Sequence, residues 1–221
     1  MKFTLGGVLA LLFSLCLPIF IYTYSIELWR SFALTNFSSP LTISFVSSFL
    51  TMCFVGFIFF PVNSYFSILN HELTHNLWAV LTFSRPTSLE VKDGKGGNFS
   101  FKGRKNIMTV LSPYFFPLST MIIFPLFFVI SSKFLIYYFI LLGASFGYSF
   151  AMEIKQINLS QTDLRVYGLV PSLIIITFFH IIILSFIFIF VQSRFDGVSL
   201  FFQHGFSEAI SIIKSIWSKL I

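Results

Sequence analysis

The sequence predicts an all-α membrane protein: a polytopic bundle of about six transmembrane helices, with a small β-hairpin insertion and an amphipathic helix near its end. Three observations carry this. The chain is 56% hydrophobic and only 10% charged over 221 residues, with a mean hydropathy of +0.89. A soluble domain carries roughly 25% charged residues, so a water-surrounded core cannot hide this much apolar side chain. Apolar runs long enough to span a bilayer recur at 5–27, 41–61, 107–131, 133–152 and 168–192. A sixth segment, 63–83, is apolar around a polar centre that reads His71-Glu72-Leu73-Thr74-His75.

The elements follow in chain order. Lys2 and the apolar run behind it have the look of a signal peptide. The run lacks a small-x-small cleavage site and continues through Leu17–Tyr24, which favours an uncleaved first span. Asn63-Ser64 after Pro61 can cap the helix that carries the two histidines. The polar insertion 84–106 alternates at Leu89 and Val91, turns at Asp93-Gly94-Lys95-Gly96-Gly97, and alternates again with Phe99 and Phe101 on one face. It reads as a β-hairpin or as an ordinary connecting loop; a hairpin near a metal site could hold an extended substrate along its edge.

In Ser112-Pro113-Tyr114-Phe115-Phe116-Pro117, the prolines should kink or delay the next helix. Gly143 and Gly147 make a GxxxG that permits close helix contact. A turn at Arg194-Phe195-Asp196-Gly197 precedes a stripe of Phe206, Ala209, Ile210, Ile213, Ile216, Trp217 and Leu220, opposite Glu208, Ser211, Lys214, Ser215 and Ser218. That pattern suits a helix lying on a membrane surface, or packed on a partner. The whole chain, 1–221, reads as one membrane-embedded domain: N-terminal spans to 62, a core over 63–192 and an interfacial segment over 193–221.

The net charge is +6 and the pI about 9.4. The basic residues lie between or beside apolar runs and form no soluble domain, so nucleic acid is a poor partner and anionic lipid a better one. Six spans would put Arg30, the 84–106 insertion, Lys155 and Arg165 on one side, and Lys2, Lys133, Arg194, Lys214 and Lys219 on the other. The positive-inside rule then makes the first group cytoplasmic and leaves both termini outside. Cys16 and Cys53 both fall inside apolar runs, as free thiols and not as a disulfide.

The pentapeptide is an HExxH. On a helix, His71 and His75 at i and i+4 share a face and can reach one metal ion, with Glu72 beside them as general base. Chance yields such a motif in on the order of one chain in several hundred of this composition. Polar groups are costly within a membrane and rarely sit there without a function. Catalytic zinc takes three protein ligands and keeps one open position. Asp163, in Gln161-Thr162-Asp163-Leu164 before the last span, is the first candidate for the third ligand, and Glu153 is the second. His180 lies mid-span and reads as an interior residue or a transition-state donor; His204 reads as interfacial. Arg165, Asn70 and Asn76 are further candidate donors to a developing oxyanion.

These residues resemble a family, the site-2-type intramembrane zinc metalloproteases, and its small bacterial members above all. The shared pieces are Asn70-His71-Glu72-Leu73-Thr74-His75-Asn76-Leu77, Gly96-Gly97, Leu111-Ser112-Pro113-Tyr114-Phe115-Phe116-Pro117, and Gln161-Thr162-Asp163-Leu164 with Gly168. They span roughly residues 60–185. One departure is clear: Thr162-Asp163-Leu164 stands where better-known members carry a proline-rich Leu-Asp-Gly. The resemblance implies Zn2+ held by His71, His75 and Asp163, with Glu72 as catalytic base. It also implies cleavage of membrane proteins or membrane-associated peptides, and residence in a bacterial cytoplasmic membrane. The residues leave two alternatives open: another membrane zinc peptidase using Glu153, or a non-catalytic membrane protein for binding or assembly.

Overall fold

The computed structural model describes residues 5–92, 94, 96–103, 105–159 and 161–220. Lys2 and the turn residues Asp93 and Lys95 lie outside them. Helices dominate: α1 (Leu5–Ala33), α2 (Pro40–Phe59), α3 (Tyr65–Leu81), α4 (Ile107–Leu111), α5 (Leu118–Ile123), α6 (Leu135–Gln156), α7 (Thr162–Val166) and α8 (Leu169–Leu220). Between α3 and α4 lies a two-stranded antiparallel hairpin, β1 (Arg85–Lys92) and β2 (Gly96–Lys102), with an irregularity between Pro86 and Ser88. Of the two readings of the 84–106 insertion, the hairpin is the one that forms.

Six apolar segments do not become six straight spans. Among the described residues three helices are long and apolar enough to cross a membrane: Pro40–Phe59, Ser132–Gln156 and Leu169–Lys219. A fourth is reached if Ile107–Tyr114 and Leu118–Phe128, bent by 94° at their break, count as one. The cause of the bend is in the sequence. Pro113 and Pro117 withdraw backbone donors where a helix would continue, and short 3₁₀ turns form at Ser112–Tyr114 and Phe124–Phe128. The helix that carries the histidines, α3, has 17 residues and is not among these candidates. The first expected span falls in α1, several of whose side chains lie outside the described residues.

Small residues set the closest packing. Gly143 lies against the Phe45 carbonyl, Gly147 against the Phe49 carbonyl, and Gly56 against Ala151. Residue numbers rise together along this seam, so α2 and α6 run parallel, with backbones in near contact as a GxxxG face allows. Lys155 closes the seam, donating to the carbonyls of Gly56 (3.2 Å), Phe57 (3.1 Å) and Phe60 (2.6 Å). An ammonium has three donors, and here they meet the carbonyls that the last turn of α2 leaves without helix partners.

The bent segment runs antiparallel to α6. Ser119 pairs with Ser149 at 2.8 Å, Thr120 with Ser145 at 3.3 Å, and the Tyr138 hydroxyl donates to the Phe124 carbonyl at 3.0 Å. The first half of α8 is antiparallel to α6 as well, with Phe150 and Glu153 meeting His180, and Tyr138 and Phe139 clustering with Phe190. α1 follows α8 in parallel: Leu17 clusters with Ile175, Tyr24 meets Phe178, Phe32 meets Phe188, and Thr35 donates to Gln192. The start of α1 is therefore at the same end of the bundle as the last turn of α6.

The expected four-residue turn after the last span is a break at one residue. Arg194 adopts φ 54° inside an otherwise continuous helix. Its guanidinium donates back to the carbonyls of Phe190 and Val191 and lies 4.9 Å from the Phe139 ring centre. Beyond it, residues 195–220 cross α1 at Tyr24. One side meets Glu27 and Arg30 through His204 and Glu208, and the other meets Phe20 through Phe206. Phe206, Ile213, Ile216 and Trp217 stay exposed, as an apolar stripe on an amphipathic helix requires. Cys16 and Cys53 are free thiols.

Replacing Gly147 by Leu should destabilise the protein by about 1–3 kcal/mol through overpacking against the α2 backbone. Thermal unfolding in detergent, with the exposed Leu141→Ala as a control, measures it.

Candidate metal centre

α3 enters its first turn through Ser64, whose hydroxyl accepts from the Ser67 amide at 3.4 Å. From there Ile68, Glu72 and His75 face inward. His71 and His75 sit one turn apart with ring centres 4.9 Å from each other. Asp163, in the first turn of α7, comes to them from nearly ninety positions later. One ligand atom from each of His71, His75 and Asp163 lies within 4.8 Å of the others, and His75 Nε2 is 3.6 Å from Asp163 Oδ2. Ligand atoms on a tetrahedral zinc with bonds near 2.0–2.1 Å stand about 3.3 Å apart, so small side-chain rotations close the site around an ion.

Each imidazole is fixed through its other nitrogen. His71 Nδ1 lies 2.9 Å from Gln156 Oε1, and the Gln156 amide donates in turn to the Ser67 hydroxyl at 3.0 Å. With its oxygen toward His71, the Gln156 amide accepts there. His75 Nδ1 lies 2.6 Å from the Thr109 carbonyl. In this arrangement each ring can donate from Nδ1 and offer Nε2 to a metal. Partners of this kind orient metal-binding histidines generally.

The Thr109 carbonyl is available for a reason written in the sequence. In a continuous helix it would accept from the amide four residues on, but that residue is Pro113, which has none. Asn106 holds this stretch of chain in place: its Oδ1 caps the Thr109 amide at 2.9 Å and its Nδ2 donates to the Thr82 hydroxyl at 2.9 Å. The start of α4 is thus tied to the end of α3.

Tyr114, wholly buried, places its ring against His71 at 5.3 Å and its hydroxyl 3.4 Å from Asp163 Oδ2. Burial alone would push the Asp163 carboxyl up. His75 facing it, with His71 and the Tyr114 hydroxyl, holds it below the usual carboxylate range instead. It is a carboxylate at neutral pH.

Glu72 is buried beneath β2. A Cβ added at Gly97 would come within 2.5 Å of Glu72 Cγ and 2.6 Å of its Oε1. Phe99, two residues on, stacks on the His75 ring at 5.7 Å with an interplanar angle of 3°. The hairpin thus lies directly over the HExxH face, and in a two-stranded sheet the outer edge of β2 is unpaired, as is that of β1. Between them opens a cavity of about 450 Å³. Its walls are largely polar: Asn63, Asn98, Lys105, Asn158, Gln161 and Thr162 join the metal-binding group.

Glu153 is not with this group. It pairs with His180, Oε2 to Nε2 at 3.2 Å, on the face shared by α6 and α8. Of the residues expected as donors to an oxyanion, Arg165 donates to the Leu159 carbonyl and Asn76 to the Glu72 carbonyl, and neither these nor Asn70 and His180 line the cavity. His204 lies near Glu27 at 3.9 Å, far along the chain from the site.

No protein-family model, no curated protein and no solved structure matches the chain.

What sequence reasoning missed is the set of residues that aim the ligands: Gln156, Thr109, Tyr114 and Phe99. Only Pro113, four residues after Thr109, carried a readable signal.

Two outcomes check this arrangement. Gln156→Leu should weaken zinc binding about 10- to 100-fold while Gln156→Glu retains it, as competition with a chromogenic chelator would show. Gly97→Val should displace Glu72 or the hairpin, leaving zinc affinity near wild type and removing peptide turnover.

Proposed function

We propose that this protein is a membrane-embedded zinc endopeptidase that cleaves membrane-associated substrates. The single observation behind this reading is the convergence of His71, His75 and Asp163, with both imidazoles held through Nδ1, at a cavity that Glu72 also lines. Two neutral imidazoles and one carboxylate are a donor set suited to catalytic zinc, and three protein ligands leave a position open. When bound there, zinc lowers the pKa of water toward about 7 and polarises a carbonyl oxygen.

The chain's own groups do the rest. A Glu72 carboxylate oxygen takes the proton from the attacking water and returns it to the amine nitrogen that leaves. Asp163 and the imidazoles hold their places because each is bonded from behind. The open edge of β2 presents backbone groups to an extended peptide, with Gly97 at the level of Glu72 and Phe99 at the level of His75. A substrate helix must unwind to lie there. Side-chain bulk at Gly97 would intrude on the Glu72 carboxylate, so glycine suits the strand at that point.

The placement of Glu153 against His180 disfavours the peptidase that would use Glu153 as third ligand. A purely structural membrane protein has no need of Glu72 under a glycine.

The site sits at one end of the bundle, beside the last turn of α6 and the start of α1. Arg85, Lys92, Lys102, Lys105, Lys155 and Arg165 gather at that end; Arg30, Lys133 and Arg194 lie at the other. The positive-inside rule makes the metal end cytoplasmic. Arg30 thereby changes sides relative to a six-span count, and the start of α1 joins the cytoplasmic end.

Purified protein should hold about one zinc per chain, lost in His71→Ala and strongly reduced in Asp163→Asn. Glu72→Gln should keep the zinc and lose cleavage of reporter peptides by at least about 100-fold, consistent with a lost general base. Absence of stoichiometric metal in the wild-type protein would sink the proposal.

A further inference from the structure

We infer that the substrate carries a carboxylate near its cleavage point, and that Lys105 selects it. This rests on the peptidase reading above.

The charge balance of the cavity leads there. Among the described residues its carboxylates are Glu72 and Asp163, and its ammonium groups are Lys105 and Lys155. Bound zinc would offset the two carboxylates, so the surplus charge is that of the two lysines. They are not equivalent. Lys155 spends its three donors on the carbonyls of Gly56, Phe57 and Phe60, so it has none left for a ligand. Lys105 is exposed and makes no ion pair among the described residues.

The surroundings of Lys105 add to the same sign. At the base of the hairpin Arg85 stands directly opposite Lys102. Like charges across a strand pair repel, and among the described residues no carboxylate pairs with either. The only carboxylate of the hairpin's two strands, Glu90, faces Lys92 at 3.4 Å. Beside Val62, Ile68, Phe99 and Val110 the cavity also carries amide side chains. Asn63, Asn98, Asn158 and Gln161 line it, as suits a polar segment at the membrane face.

The geometry gives a position. A peptide paired with the free edge of β2 has its reacting bond level with Gly97–Phe99, over Glu72 and His75. Strands advance about 3.3 Å per residue, so the end of β2 at Lys102 lies a few residues from that bond, and Lys105 lines the same cavity after it. An Asp or Glu side chain there, or a free C-terminal carboxylate, meets the Lys105 ammonium. A wall of basic residues also suits anionic lipid, but Lys105 lines the cavity, and that favours the substrate.

The test uses the zinc-loaded full chain in neutral detergent and in vesicles with and without phosphatidylglycerol. Matched reporter peptides carry Glu, Gln or Lys at each position two to four residues either side of one cleavable bond. Wild type should prefer the Glu peptide over the Gln peptide by roughly three- to tenfold in kcat/KM at one of these positions. Lys105→Ala should abolish that preference and Lys105→Glu should invert it toward the Lys peptide, each read as the ratio of kcat/KM values between peptides, with zinc content unchanged. Equal cleavage of all three peptides by wild type and both variants overturns the inference while leaving the peptidase reading standing. So does a Lys105 effect that is identical for every peptide and appears only in phosphatidylglycerol vesicles, which assigns the residue to lipid. Failure of the wild type to cleave any peptide, with zinc bound, counts against the peptidase reading itself.

Discussion

Two hydrogen bonds, from His71 Nδ1 to the Gln156 side chain and from His75 Nδ1 to the Thr109 backbone, are the constraint on which the site depends. They come from elements that are far apart in the chain, the end of α6 and the start of α4. Each acceptor is itself held: Gln156 by Ser67, Thr109 by the Asn106 cap and the missing donor at Pro113. The last turn of α6 is in turn fastened by Lys155 to the end of α2, along a seam of glycines that lets the two backbones meet. A packing motif at one level of the bundle thus positions a ligand at another.

The placement of polar groups follows the cost of burying them. The metal-binding group, Glu72 and the amide-bearing residues gather at one end, where a cavity admits water. Deeper in, some polar side chains meet in pairs: Ser119 with Ser149, Thr120 with Ser145, Glu153 with His180. Glu153 shows how a carboxyl can belong to a membrane helix without serving a metal. Its Oε2 meets the His180 ring between α6 and α8, away from the group formed by His71, His75 and Asp163.

Much of this was legible in the sequence because it is local. The spacing of His71 and His75 places them on one helix face whatever surrounds the helix. The alternation at Leu89–Val91 and Phe99–Phe101, with glycines between, gives a hairpin from strand period and turn chemistry alone. The two prolines at 113 and 117 foretold a break. Apolar length by itself does not distinguish a straight helix from one bent by 94°.

By itself, then, the sequence determined an apolar helical protein, a histidine pair with its glutamate, and a short list of carboxylates able to join them. Only the tertiary structure brought Asp163, and not Glu153, beside the histidines, gave each ring's Nδ1 a partner and laid Gly97 over Glu72. The reason is physical. Helix and strand periods act over a few residues and can be read from neighbours. The meeting of α3 with α7, or of His71 with Gln156, depends on how the glycine seam and the bent segment pack, and no spacing along the chain records that.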